Sequence, residues 1–377
     1  MMFVLLVLLT SLVLLLPLIP ALREWQWPTD VVPLKIDEAD ALDPPYLAHS
    51  FAALLAEAVR TGARHMGGSH LVRVALGADP LSPLPLLPTE VRAGRSDRLW
   101  HIEGDVQLPE NTHFYAEVSA SKGLRTAPHA VYRALWASGT VTLAAGGAIL
   151  RWAHGGDVDI GSGCHLAGRV TAQHALVLAP GCEFMLLHAP KISFVAHDRS
   201  AVVGVPSASL PCAPMVEWPV AAAWSSTARR AFARVALQLD AQRSWRGDVV
   251  CLADLVIGPH CHADGSLKAR RDLYVGEGCY VSGTVVAEGT ITLGAGCNVL
   301  GSVLSETAIV VAPGCTIGAP GRLATLTAPQ IQIASGVTVF GTVWAEEKGQ
   351  TVAGAVDALV DTPAAAAACL PARAVVA

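Results

Sequence analysis

Cys279-Tyr280-Val281-Ser282-Gly283-Thr284-Val285-Val286-Ala287-Glu288-Gly289-Thr290-Ile291-Thr292-Leu293-Gly294-Ala295-Gly296-Cys297 is one period of the repeat that decides the fold. From Cys279, every second residue is small or apolar: Val281, Gly283, Val285, Ala287, Gly289, Ile291, Leu293, Ala295. The residues between them are mostly polar or small. This alternation is the signature of strands with one face turned inward. Cys261, Cys279, Cys297 and Cys315 recur every 18 residues, and Gly265, Gly283 and Gly301 recur with them. A fixed short period implies stacked coils, each burying its apolar face only against its neighbours. Because 18 is even, the inward phase persists from coil to coil. Like therefore stacks on like, about 4.8 Å apart. Cysteine acts here as a small apolar packing residue. Inward glycines mark corners where a Cβ would not fit.

The register extends in both directions. Gly247 stands one period before Gly265, and a coil with Ile333, Val337 and Gly341 follows after a delay of four residues near Ala319-Pro320-Gly321-Arg322. Cys164 and Cys182, again 18 apart, anchor an earlier block, with weaker coils around Gly147, Ala130 and Thr112. The expected fold is all-β, a β-helix solenoid of about ten coils and roughly 48 Å of stack. Residues 195–244 interrupt it. Pro206, Pro211, Pro214 and Pro219 argue against strands there, and the alanine-rich run Ala221–Gln242 reads as a short helix. Whether the blocks form one stack or two is left open by the spacing.

The flanks differ in texture. Phe3–Leu22 is twenty residues without a charge, long enough to span a bilayer, with no basic region before it and no small-residue cleavage site before Arg23. The expectation is an uncleaved single-pass helix in the inner membrane. Arg23 after the apolar run places the remainder in the cytoplasm. Nine cysteines, mostly inward-facing solenoid residues, agree with a reducing compartment. The division is then 1–22 anchor, 23–95 linker, 96–194 first block, 195–244 insertion, 245–346 second block and 347–377 a poorly ordered tail. Within the linker, Tyr46–Thr61 reads as an amphipathic helix ending at Gly62. A net charge of −5 gives no footprint for nucleic acid.

No catalytic set assembles. The chain lacks Cys-x-x-Cys, a phosphate-binding loop and a nucleophile elbow. His260 and His262 flank Cys261, but alternation turns them away from it, so no metal is expected. His113, His165 and His262 each follow a Cys-equivalent position, with Tyr280 and Asn298 in the same outward column. The best candidate for a general base is His154 in Trp152-Ala153-His154-Gly155-Gly156. No cofactor is expected.

Two family resemblances bear on function. Val275-Gly276, Val281, Ala287 and Leu293-Gly294 can be read as hexapeptide starts, which resembles left-handed β-helix acyltransferases acting on an envelope sugar. A third reading is a secreted right-handed β-helix that binds or cleaves polysaccharide. It lacks the clustered outward Asp residues that cleavage needs. The stretch Val281–Cys297, continued by Val299-Leu300-Gly301-Ser302-Val303, is more similar to bactofilins, the polymer-forming bacterial cytoskeletal proteins. Gly168 with Val170 and Ala172, and Gly341 with Val343 and Ala345, carry the same pattern. This resemblance implies a right-handed β-helix that joins end to end without nucleotide into non-polar filaments. It also implies a membrane-associated scaffold for unidentified clients in cell-shape or envelope machinery. Two blocks, an insertion and an anchor-length segment depart from the family pattern. The unpaired backbone of a terminal coil invites a second copy, so Val337, Val339, Phe340, Val343 and Trp344 are the candidate self-association residues.

Overall fold

The computed structural model describes residues 43–76, 84–196, 222–225 and 229–354, with a few positions between 10 and 23. The chain divides into two units, Met1–Asp43 and Pro44–Ala377. In the first, the described element is a single 3-10 turn, Leu16–Leu18, with proline at its start. Among the described residues no helix is long and apolar enough to cross a membrane. The single-pass anchor over 1–22, and the inner-membrane placement drawn from it, are therefore not supported. A span needs about 20 apolar residues in one continuous helix, and proline tightens or breaks such a run. Most of that segment lies outside the described residues, as does the tail beyond 354.

The second unit is a β-solenoid of about 13 turns of roughly 18 residues, more than the ten expected. Its strands pair in parallel with a shift of one period: Lys268 with Val286, Val286 with Leu304, Tyr280 with Asn298. The first block begins a turn earlier than 96, at β1 (Ser69–Ala75), which pairs with Leu99–Glu103. It ends at β2 (Glu183–Phe194).

The insertion is not helical where it is described. A hairpin of β3 (Ala222–Ser225) and β4 (Arg230–Ala233) opens the second block, and Leu237–Leu239 continues that coil. Alanine favours helix intrinsically. Here Ala231, Ala233, Leu237 and Leu239 alternate inward, and β4 stacks in register on Asp248–Cys251. Burial of that face against the next coil overrides propensity. The second block closes at β5 (Thr338–Val352), which takes in residues 347–352, previously assigned to the tail.

The two blocks meet at β2 and β5, which pair antiparallel over eight positions, from Glu183 opposite Gln350 to Ser193 opposite Thr338. The coils thus run toward each other and join tail to tail. One apolar core passes through the joint, from Phe114 through Phe184 and Phe194 to Val339, Val343 and on to Leu239. Helix α1 (Tyr46–Thr61) lies along the side of the first block. It buries Ala48, Phe51, Leu55 and Ala58 against Leu71, Leu99, Ala134 and Trp152. Its C-terminus is closed by Gly62 in the left-handed region, φ 69°.

Candidate functional site

Cys164, Cys182, Cys261, Cys279, Cys297 and Cys315 are all buried. In five of them the thiol donates to the carbonyl 21 residues earlier: Cys182 to Gly161 and Cys261 to Asp240 at 3.1 Å, Cys279 to Gly258 at 3.2 Å, Cys297 to Gly276 and Cys315 to Gly294 at 3.0 Å. The column closes a corner carbonyl in each turn, which is packing with one weak hydrogen bond, not redox chemistry. The neighbouring Cys279 thiol, and burial after it, push Cys261 well above the usual thiol range. At the glycine corners, a Cβ on Gly265 would stand 2.2 Å from the Gly247 oxygen, and one on Gly301 2.3 Å from the Gly283 oxygen.

The coil chosen for self-association is occupied within the chain. Val337, Val339 and Val343 are buried, with β5 held between its parallel neighbour Ala324–Ala334 and β2. Phe340 is half-buried and Trp344 is exposed on the outer face. Polar contacts lock the joint. Thr351 Oγ1 accepts the Cys182 N–H at 2.8 Å and donates to the Ala179 carbonyl at 3.0 Å. Lys348 Nζ reaches Glu183 at 2.6 Å, and this contact holds the Glu183 carboxyl below its ordinary pKa. The spacing carried no sign that a mate for this coil lay about 150 residues upstream.

The histidines do not converge. His154 is buried, its Nδ1 2.7 Å from Thr171 Oγ1 and its ring edge-on to His49 of α1 at 5.6 Å. It belongs to the seat of the helix. His260 sits at a corner with φ 58°, and His262 stacks on Tyr280 at 4.5 Å. The outward column proposed for the histidines splits in two. His113 and His165 fall in line with Glu183 and Gln350. His262, Tyr280 and Asn298 run on through Thr316 and Thr338 to Ser193. The reversal at the joint causes the split. Among the described residues no group of His, Cys, Asp or Glu could hold a metal ion. A groove of about 670 Å³ on the first block is lined by Asp105, Gln107, Lys122, Arg125 and Asp159, without a nucleophile and base in contact.

The remaining feature with an open valence is the outer end of the first block. Over Leu71–Ala75, β1 pairs with one strand, Leu99–Glu103. Among the described residues its other edge is met only at its start, by His65–Met66 and by the Leu71 N–H bond to Arg64. Val72, Val74 and Leu76, which point into the stack, are only partly buried. At the opposite extremity β3 covers β4, and Ala231, Ala233, Leu237 and Trp245 are all buried. The two ends of the stack are thus closed to different degrees. No family model matches the chain, and no curated protein or solved structure shows significant similarity to it.

Proposed function

We propose that this protein is a non-enzymatic, oligomeric scaffold of the bactofilin type, whose β-solenoid joins a second copy end to end without nucleotide. The observation that carries this reading is the internal joint. In it, terminal coils of this repeat bond edge to edge, antiparallel, with a continuous core across the contact. Among the described residues the β1 edge has the same kind of unpaired backbone. The Leu76 N–H bonds to Glu103 and the Leu71 N–H to Arg64, so by alternation the groups of Arg73 and Ala75 face away from the stack. The acyltransferase reading requires an accessible base, and its candidate His154 is covered by α1.

The test is light scattering and negative-stain electron microscopy of the full chain across concentrations, beside Ala75→Pro. Proline removes one outward N–H at an edge position and leaves the inner ladder intact. End-to-end oligomers of the wild type that vanish in Ala75→Pro, with unchanged circular dichroism, are expected. Monomers at every concentration would sink the scaffold reading. A trimer that binds an acyl donor would favour the acyltransferase.

A further inference from the structure

The surface on which α1 rests does not stop where the helix does. The residues under α1 lie along one outward column, in register from Leu71 and Leu99 through Glu117 and Ala134 to Trp152. Past Arg169 the same column crosses the joint as Leu186 and Trp344, then Thr327 and Leu304. It continues as Val286, Lys268, Val250 and Phe232 to the far end of the second block. Six of these eight positions are apolar. Trp344 is 46% exposed, and Leu186, Leu304, Val286, Val250 and Phe232 are partly exposed. Eight strands at about 4.8 Å make a stripe of roughly 34 Å. Two residues beyond Val286, Leu304 and Trp344 stand Glu288, Glu306 and Glu346, all exposed. Glu288 pairs with Arg270 at 3.6 Å, while no ion pair joins Glu306 or Glu346 to a described residue.

We propose that this stripe is a docking site for an amphipathic helix of a partner protein, with basic residues along the edge that faces Glu306 and Glu346. Continuity with the α1 seat is the argument. α1 demonstrates what the column accepts: a helix of 16 residues, about 24 Å long, whose small and aromatic residues settle over successive strands. The exposed stretch has the same chemistry and register and would take a helix of about 22 residues. The two carboxylates give the half of the edge nearer the joint its sign, while Arg270 and Arg234 hold the equivalent positions toward the far end. The site is lateral, spans both blocks, and leaves the ends of the stack free, so it stands apart from end-to-end joining.

The probe is a fluorescein-labelled 22-residue leucine–lysine amphipathic peptide, titrated against the full chain by anisotropy. Saturable binding is expected, weakened tenfold or more by Leu304→Asp and by Trp344→Glu. It should weaken several-fold in the double charge reversal Glu306→Lys, Glu346→Lys. Circular dichroism of each variant checks the fold, and the Trp344 position, being exposed, serves if Leu304→Asp unfolds. Equal binding of a composition-matched scrambled peptide would overturn the proposal. So would affinity unchanged in both Leu304→Asp and Trp344→Glu. Sedimentation of the wild type, but not Trp344→Glu, with anionic lipid vesicles in place of peptide binding would assign the stripe to a membrane surface.

Discussion

At Gly283 the backbone has no room for a methyl group. A Cβ there would lie 2.5 Å from the Gly265 carbonyl carbon and oxygen, backbone against backbone. Close approach of successive coils, not a left-handed φ, is what requires glycine at Gly265, Gly283 and Gly301, whereas Gly247 at the head of the column has φ 114°. Gly283→Ala should cost about 3 kcal/mol as overpacking with no flexible neighbour to yield, read as a lower urea midpoint. The cysteine column makes a prediction in pH. For Cys297 the contact with Cys279 favours the thiolate, but the contact with Cys315 and burial outweigh it, leaving a pKa of about 12. An unfolded thiol ionises near 9. Between those values the unfolded chain binds fewer protons than the folded one, so stability is intact below pH 9 and falls as pH rises toward 12. Chemical denaturation across that range should show a shallower fall in Cys297→Ala. The columns themselves were legible, because an even period fixes the inward phase. The carbonyl each thiol serves was not, because 21-residue partners arise only when the coil closes.

Helix α1 could be read from apolar spacing and Gly62, but its seat could not. The seat is assembled from residues a turn apart in the stack, with Trp152 meeting Phe51 at 5.2 Å. Trp152→Ala removes the largest of these contacts. It should weaken docking by about 3 kcal/mol, so that hydrogen exchange of the 46–61 amides rises roughly 100-fold while the solenoid strands stay protected. The hairpin β3–β4 was misread as helix for a related reason. Arg229, one period before Gly247, carries the corner with φ 47°, and Ala233 stands where Cys251 stands a turn later. The marker residues of the repeat are missing from that coil, and only stacking reveals it.

The tail-to-tail joint governs the whole molecule. Val343 is fully buried opposite Leu187, so Val343→Asp places an uncompensated carboxylate in the core of the contact. A loss of at least about 3 kcal/mol is expected. Calorimetry should then resolve two transitions, one per block, where the wild type gives one. Nothing in the local repeat encodes this joint, since parallel and antiparallel neighbours ask the same alternation of a strand. That is why the end coil was expected to face another molecule and the histidine column was drawn across the reversal. The joint also sets a clock during synthesis. Strand β2 is complete once Phe194 has left the ribosome, and β5 begins at Thr338, 144 residues later. At roughly 5–20 residues per second, the first block waits roughly 7–30 s with its last edge bare. Every nascent chain on a crowded polysome carries that same bare edge. The last of the described strands to be made is therefore the one that ends the risk of pairing with a neighbour's.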